Sequence, residues 1–171
     1  MAHDPKRGHS ALRRGRWSTP GAEYFLTVCT DDQPCGLGAR EVTAPLTEGA
    51  LRLESEGAWH VRTMSVMPDH LHFLVVLGET LPLSEVVRRF KGRHASLLQS
   101  QRLRWERGCF DHRLRDDEDR LPVFLYIFLN PYRANLLPHS ERWPGYYCCP
   151  EDWRWFGPLT DHDCPMPEWL L

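Results

Sequence analysis

At 171 residues, 42% hydrophobic and 26% charged, the chain fits one domain with a core large enough to fold without disulfide or metal staples. No apolar run approaches the roughly 20 residues of a bilayer span, and no apolar segment follows the basic N-terminus to make a secretion signal. The formal charge of −2 argues against a nucleic-acid partner only if it is spread evenly, and it is not.

Residues 1–20 carry Lys6, Arg7, Arg13, Arg14 and Arg16 against Asp4. They are aperiodic and contain Pro and Gly, so they read as a flexible basic arm. The β-formers from Ala22 to Thr30 predict a first strand, closed by the turn-like Asp31-Asp-Gln-Pro34. Leu46, Ala50, Leu51 and Leu53 recur at helical spacing over 43–56, with Thr43 as the expected cap and Gly57 as the stop. Trp59–Met67 alternates as a second strand, Pro68-Asp69 turns, and His70–Leu77 returns as its hairpin partner. Ser84 is positioned to cap a basic helix over 85–103, with Val86, Val87, Phe90, Ala95, Leu97 and Leu98 on its buried side. That stretch carries Arg88, Arg89, Lys91 and Arg93, a basic face able to follow a phosphate backbone. Cys109–Arg115 reads as a fourth strand. The acids Asp116–Asp119 then precede the apolar run Leu121–Leu137, as suits a helix N-terminus, with Pro122 tolerated in the first turn and Pro131 expected to remove a hydrogen bond.

The order strand–helix–strand–strand–helix–strand plus a last helix is that of an α+β, ferredoxin-like split βαβ antiparallel sheet with an appended C-terminal helix. Residues 21–147 are read as the domain and 148–171 as an irregular tail packed on it. Six cysteines form no C-x-x-C pair, and adjacent Cys148 and Cys149 suit neither a disulfide nor a zinc knuckle. The expectation is reduced thiols in a cytoplasmic protein with no membrane partner. Asp161-His-Asp-Cys164 lacks the periodicity that would make it a second metal cluster.

The chemistry concentrates in Met67-Pro-Asp-His-Leu-His-Phe-Leu-Val. His70 and His72 share one face of the strand while Leu71, Phe73, Val75 and Leu77 share the other. Alone, the pair is equally a wet polar face or a site for a divalent metal or phosphate. Tyr126 and Asn130, four apart on the last helix, share a face with Arg133, and alone these too read as ordinary packing and capping. Taken together they suggest a reaction. An ordinary phenol, with a pKa of about 10, is a poor nucleophile, but a divalent metal held by His70, His72 and the Asn130 oxygen would polarise a phosphodiester for attack by Tyr126. The covalent phosphotyrosine would store the bond energy for rejoining.

These three stretches, Met67–Val75, Phe110–Arg115 and Tyr126-Ile-Phe-Leu-Asn-Pro-Tyr-Arg-Ala134, resemble the single-tyrosine HUH transposases, and within them the REP-associated tyrosine transposases. The resemblance runs from about residue 22 to about 147. It implies His70, His72 and Asn130 as ligands of Mg²⁺ or Mn²⁺ and Tyr126 as nucleophile on the appended helix. It also implies cleavage and rejoining of single-stranded DNA near palindromic hairpins, with a 5′-phosphotyrosine and a free 3′-hydroxyl, by a monomer. Asp69 stands where the family often has Asn. Arg16, Arg88, Arg89, Lys91, Arg93 and Arg133 are the candidate DNA contacts, and Trp105 and Tyr132 are candidates for stacking on unpaired bases. The rival reading is a DNA-hairpin-binding protein without the chemistry. A nucleotide hydrolase of the alternating-histidine type lacks its third histidine, because Phe73 and Leu74 follow His72.

Overall fold

The computed structural model describes residues 18–31 and 36–160. Arg16, most of the basic arm and Asp161–Cys164 lie outside the described residues. Ten elements follow in order: β1 (Glu23–Cys29), α1 (Arg40–Ser55), β2 (Trp59–Val66), β3 (His70–Leu77), α2 (Leu83–Ser100), β4 (Phe110–Arg113), α3 (Leu121–Arg133), β5 (Tyr146–Cys148), α4 (Pro150–Phe156) and a 3₁₀ turn (Gly157–Leu159). The strands form one antiparallel sheet in the order β4-β1-β3-β2-β5, the ferredoxin-like arrangement with a fifth strand added at one edge.

Period-two alternation along β3 sorts its side chains onto two cores. Leu71, Phe73, Val75 and Leu77 join the core formed with α1 and α2, where Leu46, Leu53, Val86 and Phe90 are fully buried. Leu74 points the other way, into a second core built from Phe124, Ile127, Phe128 and Leu129 of α3 and Phe156 of α4. The sheet is therefore a middle layer, with α1 and α2 on one side and α3 and α4 on the other. His70 and His72 share the parity of Leu74 and face the α3 side.

Several expectations at helix ends are corrected. Helix α1 begins three residues before Thr43, and the Thr43 hydroxyl donates inward to the Leu37 carbonyl (2.8 Å). Helix α2 begins at Leu83, so Ser84 lies inside its first turn; the Leu83 N–H is taken by the Ser18 hydroxyl (2.9 Å), a partner distant in sequence. On α2 the buried position expected for Ala95 falls to His94, while Ala95 is exposed. The His94 ring packs against Gly49 of α1, where a Cβ would stand 2.1 Å from Nε2. Only glycine permits that approach.

Helix α3 ends at Arg133, not Leu137. Asn135 adopts φ 54°, the Leu136 N–H bonds the Pro131 carbonyl and the Asn135 N–H bonds the Tyr132 carbonyl (both 3.0 Å). That double bond pattern is a Schellman stop. At the other end the Asp119 carboxylate accepts the Leu121 N–H (3.0 Å), so the acids before the helix include one that caps it.

The tail read as irregular from 148 contains α4 and the 3₁₀ turn, and β5 leads into it. What anchors it is a bulge. The β2–β3 register shifts between Val61 and Thr63, and at the skipped position the Arg62 guanidinium donates to Asp152 of α4 (2.5 and 2.8 Å) and to Glu23 of β1 (2.5 Å). Arg120 also donates to Glu23 (2.9 Å), and the Arg62 guanidinium lies 5.8 Å over the Phe124 ring. A short strand and a seven-residue helix carry little periodic signal, and the charges that hold them come from elsewhere in the chain. Cys29, Cys109, Cys148 and Cys149 are in no disulfide, and no helix among the described residues is long and apolar enough to cross a membrane.

Candidate active site

The hairpin turn after Met67, closed by the Met67 N–H on the His70 carbonyl (2.8 Å), places the two imidazoles side by side on the α3 face. Their Nε2 atoms are 2.9 Å apart. His72 is only 3% exposed, and its other nitrogen, Nδ1, is 3.0 Å from the Thr27 hydroxyl on the neighbouring strand. His70 Nδ1 is 2.6 Å from the Asp69 carboxylate. If each Nδ1 donates to its oxygen partner, both lone pairs sit on the facing Nε2 atoms. Two acceptors at 2.9 Å need a positive centre between them, a proton or a metal ion. Burial, reinforced by the neighbouring His70, pushes the His72 imidazole down to about 3, which keeps it neutral and able to ligate.

Helix α3 brings the other residues to the same place. The Asn130 carboxamide lies 3.0 Å from His72 Nε2. Exchanging its oxygen and nitrogen by a half-turn about the terminal bond would present the oxygen at the same point. The Tyr126 ring lies 5.1 Å from the His72 ring, edge to face, and is 43% exposed. Its hydroxyl makes no hydrogen bond among the described residues. Ligands about 2.1 Å from a six-coordinate ion and at right angles stand roughly 3.0 Å apart. The His70–His72 and His72–Asn130 separations, 2.9 and 3.0 Å, fit that spacing. The carboxylate and hydroxyl behind the two rings are the orienting partners that metal-bound histidines commonly have.

The sequence brought out His70, His72, Tyr126 and Asn130, and the structure brings all four together. It missed Thr27 and Phe25. Phe25 stacks on His72 (centroids 5.5 Å, interplanar angle 22°) and meets Tyr126 edge-on (5.7 Å, 86°). Both come from β1, and only the cross-strand register Thr27↔His72 reveals them. Asp69, noted as a departure from the usual Asn, proves to be the charged partner of His70.

The cations are dispersed. Arg133 is exposed on α3. Arg88, Arg89, Lys91 and Arg93 belong to α2, on the opposite side of the sheet from Tyr126. There Arg88 and Arg89 share Glu85 (2.7 and 3.2 Å), and Arg93 pairs with Glu56 (2.7 Å). The Lys91 ammonium donates to the Glu106 and Gly108 carbonyls. Tyr132 is buried, its hydroxyl donating to the Glu141 carbonyl (2.9 Å). Trp105 packs against Phe90 and donates to the Lys91 carbonyl (3.0 Å). Both of these rings are packing.

A second group of ligand-type side chains, His60, Cys149 and Glu151, brings its donor atoms within 4.8 Å of one another. His60 lies opposite Val76, four residues along β3 from His72, roughly 13 Å at about 3.3 Å per residue. Burial, with Asp152 beside it, pushes the Cys149 thiol up to about 11. The protonated sulfur donates to Asp152 (3.1 Å).

Residues 37–112 match the family model described as "Transposase IS200 like". A solved structure of a REP-associated tyrosine transposase bound to a REP hairpin is similar at 20% identity and TM-score 0.61, covering 71% of this chain and 73% of that one. A crystal structure of a candidate transposase from Deinococcus radiodurans R1 aligns at 18% identity and TM-score 0.49, covering 72% and 96%. No curated protein matches the chain.

Proposed function

We propose that the chain, whose residues 37–112 match the model of the IS200-like transposases, is a metal-dependent nuclease and strand transferase acting on single-stranded DNA beside a hairpin. The observation that carries this reading is the convergence of His70, His72 and Asn130 within 3.0 Å steps, with the Tyr126 ring against His72. It is a monomer in this reading, since one chain supplies every group.

Mg²⁺ or Mn²⁺ held by His70, His72 and Asn130 would polarise the scissile phosphodiester and stabilise charge on its oxygens. Thr27 and Asp69 hold the two imidazoles with Nε2 turned inward. Tyr126 loses its phenolic proton and attacks phosphorus. A Tyr126 Oη–P bond forms, the P–O3′ bond breaks, and the departing 3′-oxygen takes up a proton. The product is a 5′-phosphotyrosine and a free 3′-hydroxyl. Attack by a second 3′-hydroxyl on the phosphotyrosine reverses these bond changes and frees Tyr126, so no nucleotide cofactor is needed. Arg133 is the cation on the tyrosine side, and the bases on α2 face away from the chemistry.

The test is incubation of the protein with a single-stranded hairpin oligonucleotide and Mg²⁺ or Mn²⁺, followed by a denaturing gel. A covalent protein–DNA adduct is expected, lost with a chelator and in Tyr126→Phe. Because the hydroxyl removed is exposed, that variant should keep its stability within about 0.5 kcal/mol. Equal cleavage by Tyr126→Phe sinks the covalent mechanism. Hairpin binding without cleavage under any metal favours a DNA-hairpin-binding protein instead.

A further inference from the structure

Phe110 is 46% exposed, the most exposed large hydrophobic side chain among the described residues. It stands on an edge strand, β4, whose other residues are Asp111, His112 and Arg113. Edge strands ordinarily carry charges, and Phe110 is the one large apolar side chain on this strand.

Register fixes which way the ring faces. Phe110 pairs with Thr27, and Thr27 pairs with His72, so the three stand on one rung of the α3 side of the sheet. Phe25, on the next rung, touches Phe110 edge-on (6.3 Å, 67°) as well as His72 and Tyr126. The rings form an unbroken run from Tyr126 to the sheet edge, and its two ends, Tyr126 and Phe110, are the exposed members. Helix α3 packs over β2 and β3, which leaves the Phe110 end open. One ring offers far less than the roughly 800 Å² per partner that a stable protein interface buries. It does match a single planar base.

We infer that Phe110, backed by Phe25, is the stacking platform for an unpaired base of the strand that enters the active site. This rests on the single-stranded DNA reading above. Stacking of a base on an aromatic side chain contributes between about 5- and 150-fold in affinity and is tolerant of base identity.

The experiment uses the full chain in chelator, so that no cleavage intervenes, and two fluorescent oligonucleotides, a blunt hairpin and the same hairpin with a single-stranded extension. Phe110→Leu should weaken binding of the extended hairpin by 5- to 150-fold and leave the blunt hairpin unchanged, while Phe110→Tyr binds like wild type. A 2-aminopurine series along the extension should show one position quenched by wild type and bright in Phe110→Leu. Unchanged affinity of Phe110→Leu for the extended hairpin, or equal loss for both hairpins, overturns the platform. The nuclease reading is judged separately with metal. Absence of adduct together with an extension-specific loss in Phe110→Leu would refute the nuclease and keep the platform. Failure of wild type to bind the extended hairpin would overturn both.

Discussion

Replacing Asp152 with Asn tests the joint that ties α4 to the sheet. The carboxylate accepts two hydrogen bonds from Arg62 (2.5 and 2.8 Å), one from the Trp155 indole (2.9 Å) and one from the Cys149 thiol (3.1 Å). Burial pushes the Asp152 carboxyl up, and these donors, Arg62 foremost, outweigh it and hold the group at about 2. Against an ordinary carboxyl near 3.9, that depression is worth about 2.5 kcal/mol of stability at neutral pH. Because the folded value lies below the unfolded one, the contribution is complete above about pH 4 and is lost as the pH falls toward 2. Asp152→Asn should therefore unfold about 5–10 °C below wild type at pH 7, at roughly 2–4 °C per kcal/mol for a chain of this size. The gap should shrink at pH 2.5. Thermal unfolding followed by circular dichroism at pH 7, 4 and 2.5 reads it directly. Equal melting temperatures at pH 7 would mean that the charge network contributes nothing. A gap that persists undiminished at pH 2.5 would assign the loss to packing instead of charge.

Thr27→Val keeps the shape of the side chain and removes the hydroxyl that orients His72 Nδ1. Mn²⁺ affinity by titration calorimetry should fall 10- to 100-fold, and an unchanged affinity would remove Thr27 from the site. Gly49→Ala places a Cβ 2.1 Å from the His94 ring, and should cost about 1–3 kcal/mol in urea unfolding by overpacking the contact between α1 and α2. A neutral result would show that His94 can swing aside without loss.

The helices and central strands were legible because each carries a period. Alternation along His70–Leu77 separated the two cores correctly, and the same alternation put both histidines on the face that α3 covers. Tyr126 and Asn130 were legible for a similar reason, being one helical turn apart. Thr27 and Phe25 were not, because their roles depend on strand register, which joins residues 45 positions apart in the Thr27–His72 bond. The caps were misplaced at Thr43 and Ser84 because other partners, Leu37 in the loop before α1 and Ser18 far away in the chain, take the groups involved. The basic stripe on α2 was visible, but its neutralisers were not all local, since Arg93 finds Glu56 across the helix pair. Arg62 shows the limit most clearly. A bulge turns it toward α4, and nothing in Trp59–Val66 announces that bulge.

Tyr126 and Asn130 occupy successive turns of a single helix stopped firmly at Asn135. Neither can be repositioned without the other. A tilt or slide of α3 that withdrew the Tyr126 hydroxyl would carry the carboxamide away from His72 in the same movement. In the proposed mechanism the attacking group and one of the three donors thus arrive and depart as a unit, so a displacement of this helix would remove both together instead of detuning one.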